Sequence, residues 1–338
     1  MSKINLKKLA LELNVSVSTI SKALRDSHEI GAATKQRILE KARELGYKAN
    51  PYASYMRHHK SKTIAFIIPE MVNSFFLQVI NGAESVAREK DYHILIYITH
   101  EDAQKEISIV NHLQNGRVDG IIMSLSSGVK DYSHLTECIN NNIPIIFFDR
   151  ICHEIETAKI TTDDFASGFI ATEHLIKNGC RDIAYLSISE NLSIDNKRMQ
   201  GYIEALNKYD ISLDRSKIIR CGNDDKKNYK QIKKLLSGEA KVDGIFSSIE
   251  KFALITYNVC RDISLKIPDD LKVICFSNLA TADFLNPPLT TITQPANEMG
   301  VAAASQLFKY LDKNRSDIPN ENIIIKSKLM ARGSTSIA

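Results

Sequence analysis

Across the first fifty residues, apolar positions recur at helical spacing in three short stretches. Leu6, Leu9, Ala10 and Leu13 fall at i, i+3, i+4 and i+7, with Asn5 as N-cap. Val17, Ile20 and Leu24 follow, capped by Ser16; Ile38, Ala42 and Leu45 make a third stripe, opened by Thr34 and closed by Gly46. Only Asn14-Val15-Ser16 separates the first two, and Asn tolerates the left-handed backbone of a tight turn. Beyond Lys62 the pattern changes. Apolar β-type runs at 63–69, 92–99, 118–123 and 143–149 alternate with amphipathic stretches at 74–90, 102–115 and 131–141, and a second series runs from 164 to 276. Such alternation predicts α/β lobes with parallel sheets, whose ligands bind beyond the carboxyl ends of the strands.

Helix, three-residue turn, helix and a supporting third helix form a helix-turn-helix, which lays its second helix in the DNA major groove. With Val17, Ile20 and Leu24 toward the core, Ser18, Ser21, Lys22 and Arg25 face outward, flanked by Ser16 and Thr19. Small hydroxyls allow close approach and donate to phosphate oxygens. The alternative is a plain three-helix bundle with serines on a solvated face. Charge shifts the balance: residues 1–62 hold 13 Lys and Arg against 5 Asp and Glu, net +8, while the remainder carries 31 against 35. A basic head on a mildly acidic body suits a polyanion-binding module, although a solvated charged surface is the commoner cause of such runs. Asn50-Pro51 then starts a helix of about two turns, too short to be stable alone and expected to form only when packed.

Six scattered cysteines (Cys138, Cys152, Cys180, Cys221, Cys260 and Cys275) show no metal-site spacing and read as buried, reduced thiols of a cytoplasmic protein. No apolar run approaches the roughly 18 residues of a membrane span, and the N-terminal stretch lacks the apolar core of a secretory signal. No P-loop, G-x-S-x-G, H-E-x-x-H or G-x-G-x-x-G motif is present, so neither an enzyme nor a cofactor is expected. Asp163-Asp164 lies at a predicted helix start, where acidic residues are favoured by the helix dipole. A transport binding protein would share the body, but the basic head and missing signal argue against it.

The stretches "VSVSTISKAL" (15–24) and "TKQRILEKARELGYKANPYAS" (34–54) resemble the head and hinge of the lactose/galactose repressor (LacI/GalR) family of bacterial transcription regulators. "VDGIIMSLS" (118–126), "IPIIFFDR" (143–150), "ATEHLIKNGCRDIAYLS" (171–187), "PPLTTITQPANEMG" (287–300) and "LMARGST" (329–335) extend the resemblance over the body, which looks like the periplasmic-binding-protein type. The resemblance implies a DNA-binding domain at 1–49, a hinge at 50–62 and an effector-binding and dimerisation domain at 63–338. Three crossings divide the last into one lobe at about 63–160 and 291–320 and another at about 161–290 and 321–338. It further implies that Val17, Ser18 and Lys22 read bases, that Asn5, Ser16, Thr19 and Ser21 hold phosphates, and that Ala53 and Met56 enter the minor groove of a pseudo-palindromic operator. Met56 replaces the family's usual Leu wedge; methionine also intercalates.

For the effector, the resemblance points to Asn73, Phe75 and Phe76 in "NSFF", to Asp149 and Arg150, to Arg198 in "NKRMQGY", and to Ser277 and Gln294. Arg198 and Arg150 could instead form ion pairs between lobes, and the two phenylalanines could divide between core and cleft. Phe276-Ser277-Asn278 stands where the family has an aromatic followed by two Asp, and Ile249-Glu250 replaces Asn-Asp. With those sugar acceptors gone, a phosphorylated or acidic metabolite held by the two arginines becomes an alternative to a free sugar, as does a pocket that has lost its ligand. The family's mechanism is a two-state switch in which effector changes lobe orientation and hence the hinges. The chain's end at Ala338 leaves no heptad tail, so a homodimer is expected.

Overall fold

A computed structural model of the chain describes residues 6–24, 29–45, 47, 61–71, 73–189, 192–222, 224–238, 241–313 and 320–336. Two compact units appear, Met1–Ser61 and Lys62–Ala338. Asn5, Gly46, Ala53, Met56 and the expected hinge helix lie outside the described residues.

In the first unit α1 (Leu6–Leu13), α2 (Val17–Leu24) and α3 (Ala32–Glu44) bury Leu9, Ala10, Leu13, Ile20, Ala23, Ile38 and Ala42 against one another. Asn14 takes a φ of 52°, the left-handed turn its side chain permits. The Thr19 amide donates to Ser16 Oγ at 3.0 Å, which caps α2. Arg37 reaches from α3 to the last carbonyl of α1, donating to Leu13 O at 2.7 Å and satisfying an acceptor the helix leaves open. Two expectations change. Val17 is 38% exposed rather than in the buried stripe, because it is the first residue after the cap and projects past the core; Ile20 and Ala23 carry that stripe, with Leu24 half-buried. The third helix opens at Ala32 behind Gly31, which supplies no side-chain cap, two residues before Thr34.

In the second unit β1 (Thr63–Ile68), β2 (His93–Ile98), β3 (Gly120–Met123), β4 (Ile145–Phe148), β5 (Lys159–Thr162) and β11 (Asn322–Ile325) form a parallel sheet in the order β11-β5-β4-β3-β1-β2. The other lobe is built from β6 (Ile183–Ser187), β7 (Ile218–Arg220), β8 (Gly244–Ser247), β9 (Lys272–Phe276), β10 (Thr290–Thr293) and β12 (Lys328–Met330), in the order β12-β10-β9-β8-β6-β7, with only β12 antiparallel. Side chains alternate across each sheet. Ile64, Phe66 and Ile68 pack on the side of α4 (Ser74–Glu89) and α11 (Ala296–Lys313), whereas Ala65 and Ile67 meet α5 (Ala103–Leu113) and α6 (Ser133–Asn140). The second sheet is covered likewise by α7 (Asp164–Lys177) and α8 (Ser193–Lys208) on one face and by α9 (Asp225–Ser237) and α10 (Glu250–Asp262) on the other. Among the described residues, no helix is long and apolar enough to cross a membrane, and all six cysteines are buried and unpaired.

Each lobe holds one helix pair at glycine distance. A Cβ on Gly300 of α11 would stand 1.9 Å from the Val79 carbonyl oxygen of α4, and one on Gly201 of α8 would stand 2.1 Å from the Phe165 oxygen of α7. The lobe crossings fall slightly later than the sequence suggested. The chain leaves the first sheet after Thr162, leaves the second after Thr293, and crosses again between Ile325 and Lys328. Hence β10 belongs to the second lobe and β11 to the first, so the boundaries expected at about 290 and 320 move a few residues later, while α11 and β12 fall in the lobes expected of them. The sequences of β5 and β10, KITT and TTIT, contain no apolar run to mark them; backbone pairing to β4 and β9 holds them in place.

Candidate functional site

The carboxyl ends of the strands in both lobes open onto one cleft. Glu70 follows β1, Asp149 and Arg150 follow β4, Ser248 follows β8, Ser277 and Asn278 follow β9, and Gln294 follows β10; all line it. Asn73, Phe75 and Phe76 reach it from the start of α4, and Arg198 from α8, so all eight effector residues singled out in the sequence meet at one place. The structure adds Glu70, Ile188, Ile194, Ser248, Ile249, Phe276 and Asn278 to the lining. The strand-end rule could have flagged Glu70, Ile188, Ser248 and Asn278, and the departures from the family at Ile249 and at Phe276-Ser277-Asn278 pointed to the same place; Ile194 carries no separate signal.

Arg198 is 2% exposed and already engaged. Its Nε donates to Asp164 Oδ1 at 2.8 Å, its Nη1 to the Ser248 carbonyl at 3.0 Å, and its face lies 3.8 Å from the centre of the Phe276 ring. Asp164 is therefore more than a helix-start acid. Burial pushes its carboxyl up to about 6, against the pull of Arg198. Asp149 closes β4 in a left-handed turn with a φ of 58°; burial raises its carboxyl too, while Arg198 and Arg150 oppose the rise. Arg150 donates through Nη1 to Glu101 Oε1 at 2.6 Å, with Nε 4.0 Å from Asp149 Oδ2. Burial would push Glu101 up, but Arg150 and the Ser127 amide outweigh it and hold the carboxyl low.

The remaining candidates have structural duties of their own. Asn73 Oδ1 accepts from the Phe75 amide at 2.9 Å and so caps α4. Phe75 and Phe76 both line the cleft and both sit in the core, with rings 5.3 Å apart. Ser277 Oγ donates to Glu250 Oε2 at 2.8 Å, and the Ser74 amide of the opposite lobe donates to Glu250 Oε1 at 3.4 Å. Asn278 and Gln78 exchange bonds across the lobes, each amide donating at 3.1 Å to an oxygen of the other residue, and Gln294 Nε2 donates to Thr162 Oγ1 at 3.2 Å. The lobes are thus drawn together by hydrogen bonds across the cleft.

On the head, Ser16, Val17 and Ser18 are exposed at the tip of α2, while Thr19, Ser21 and Lys22 are half-buried. Ser16 Oγ lies 2.7 Å from Ser18 Oγ and 2.8 Å from Thr19 Oγ1, so three hydroxyls cluster where a helix N-terminus attracts anions. The Lys22 ammonium is paired with Glu29, seven residues on and without a local pattern to mark it. Among the described residues, no group of three His, Cys, Asp or Glu side chains could hold a metal ion.

Such a head, with a two-lobed body closed around a polar cleft, defines the class of DNA-binding regulators that respond to a small ligand. Residues 5–50 match the family model of bacterial regulatory proteins of the lacI family, and residues 61–332 match that of periplasmic binding proteins and the sugar binding domain of the LacI family. The chain belongs to the LacI family, and it is a transcriptional regulator rather than an enzyme. It is 29% identical over 333 residues to the HTH-type transcriptional regulator RegA of Clostridium saccharobutylicum, spanning 98% of this chain and 99% of that protein. It is 28% identical to the HTH-type transcriptional repressor CytR of Escherichia coli, over 98% and 96% of the two chains. A solved periplasmic binding protein/LacI transcriptional regulator from Alkaliphilus metalliredigens, complexed with D-xylulofuranose, superposes with a TM-score of 0.71 at 26% identity, over 82% of this chain and all of that one. The lac repressor dimer bound to operator shares the fold, with a TM-score of 0.83 over 99% of each chain at 18% identity.

Proposed function

We propose that the chain acts in the cytoplasm as a homodimeric repressor of a pseudo-palindromic operator, its DNA affinity set by a carbohydrate-like effector in the interlobe cleft and by no other cofactor. The observation that carries this reading is the convergence of all eight sequence-selected effector residues on one cleft spanned by hydrogen bonds between lobes. Ligand entry must break the Gln78 to Asn278 and Ser74 to Glu250 contacts, so the ligand can bias lobe closure through differential affinity for the two states. Paired hinges at 50–62 pass that bias on as folding in the minor groove or its loss, and Ala53 and Met56 are the residues placed there.

A carbohydrate is favoured over a phosphorylated or acidic metabolite because both guanidiniums already face carboxylates. The xylulofuranose complex of the Alkaliphilus relative supports the same class. Dimerisation is supported by β2, an edge strand on which Leu95 and Ile96 are 43% and 42% exposed. Val17, Ser18 and Lys22 are assigned to base reading, and Asn5, Ser16, Thr19 and Ser21 to phosphates. The domain division at 1–49, 50–62 and 63–338 is part of the same reading.

Selection of binding sites from random DNA by the full-length chain tests it. The expected product is a two-fold-related pair of half-sites bound by two chains; Lys22→Ala relaxes base choice and Met56→Ala weakens only specific binding. Binding that stays sequence-independent, or a monomer on DNA by sedimentation, overturns the proposal.

A further inference from the structure

On the second lobe, the side chains at 250, 277 and 278 are spent on protein rather than held out to a ligand. Asn278 uses every polar atom of its side chain. Its Oδ1 accepts from the Gln294 amide at 3.2 Å, and its Nδ2 donates to the Gln294 carbonyl at 2.8 Å and to Gln78 Oε1 at 3.1 Å. The Asn278 carbonyl in turn accepts from Gln78 Nε2 at 3.1 Å. Gln78 stands on α4 of the first lobe, and Gln294 opens the second crossing, from which its side chain reaches Thr162 at the start of the first. The third crossing is tied to the first as well, the Ser327 amide donating to Asp163 Oδ1 at 3.0 Å. A second bridge runs through Ser277, whose Oγ accepts from the Leu279 amide at 2.9 Å and donates to Glu250 Oε2, while Glu250 Oε1 takes the Ser74 amide of the first lobe. These are the positions at which the sequence departs from the acidic residues of the family. An aspartate at 278 would still accept from the Gln294 amide, but it has no hydrogen to give to Gln78 Oε1 or to the Gln294 carbonyl. The bridge to Gln78 needs an amide there.

We propose that Gln78 and Asn278 form a clasp, backed by Glu250 and Ser74, that holds the lobes closed without a ligand and whose release changes operator affinity; the second half rests on the body controlling the DNA-binding head. In a two-lobed cleft, contacts made to both lobes bias the open and closed states. Here such contacts belong to the chain itself. Each neutral hydrogen bond contributes little, but the two between Gln78 and Asn278 break together on opening, and their loss shifts the lobe equilibrium by about tenfold. Gln78 lies outside the cleft lining and acts through Asn278, which lines it and fixes the main chain of Gln294, so Gln78 is a positioning residue. A ligand that bonds to Asn278 competes with Gln78, and weakening the clasp raises the fraction of chains open to ligand.

The test is the distance between spin labels on the two lobes of the full-length chain, without ligand or DNA. Lys130→Cys and Lys226→Cys carry the labels; both positions are exposed, one beyond the carboxyl end of β3 and the other beyond that of β7, and the six native cysteines are buried. Labelled chain is diluted in unlabelled chain so that each pair reports one molecule. The chain with Gln78 and Asn278 intact should give one short distance, and Gln78→Leu and Asn278→Asp, made separately on opposite lobes, should each add a longer population; either one tests the clasp if the other fails to fold. A longer population equally present with the clasp intact, or absent from a folded variant, overturns the clasp and leaves the effector site as it stands. For the second half, Gln78→Leu should change affinity for the selected operator by about tenfold, within the range of allosteric couplings, and leave affinity for random DNA unchanged. Lobes that open with operator affinity unchanged keep the clasp and overturn control of the head by the body.

Discussion

The two lobes share one strand order and one way of seating a helix pair, yet each delivers its arginine to the cleft differently. In the second lobe, Arg198 lies one turn before Gly201, on the helix that crosses α7, and its partner Asp164 opens α7. Positioning device and ion pair are therefore the same crossing. In the first lobe, the Gly82 and Gly300 crossing sets α4 against α11, while Arg150 stands apart at the end of β4 and is held by Glu101 from the loop after β2. Arg198 depends on helix packing, whereas Arg150 depends on loop hydrogen bonds.

The largest expected effect follows from that difference. Arg198→Ala leaves Asp164 buried without its cation and should cost about 3–5 kcal/mol in denaturant unfolding, whereas Arg150→Ala, whose partner Glu101 is less enclosed, should cost less. Equal losses would break the contrast. Next come Gly201→Ala and Gly300→Ala, each forcing a methyl against a carbonyl and expected to cost about 1–3 kcal/mol, while Gly222→Ala, with open space around its Cβ position, serves as control. Gly201→Ala should also weaken ligand binding by shifting Arg198, and Gly300→Ala should leave ligand affinity near that of the unmodified chain; titration of both variants decides.

The smallest effect is in pH. Asp164 is raised to about 6, so between pH 4 and 6 the folded chain binds the extra proton and this group's contribution to stability falls as pH rises. Glu101 is lowered, so its contribution is present above the ordinary carboxyl range and is lost as pH falls. Unfolding midpoints should therefore lose a downward component above about pH 4 in Asp164→Asn and an upward one below about pH 4.5 in Glu101→Gln. The same sign in both variants would contradict the assignment.

Much of this was legible beforehand. The three head helices, the long apolar strands and α4 to α10 follow from periodicity, and the strand-end rule led to Asp149. Short strands gave little to read: β5 and β10 are rich in threonine, β11 and β12 span four and three residues, and the lobe crossings beside them fall a few residues later than the sequence suggests. Asp164 reads locally as a helix-dipole acid because its partner lies 34 residues away, and Gln78 and Asn278 meet across 200 residues.

The sequence by itself determined the class of fold and the basic head with its capped second helix, because these follow from local spacing; Asp149 and Arg150 face the cleft from a strand end, and the other effector residues were implied by the family resemblance. Only the tertiary structure decided which charges in that cleft are spent. An arginine reads as a free cation until the chain brings a distant carboxylate against it, and here folding sets Asp164 against Arg198 and Glu101 against Arg150.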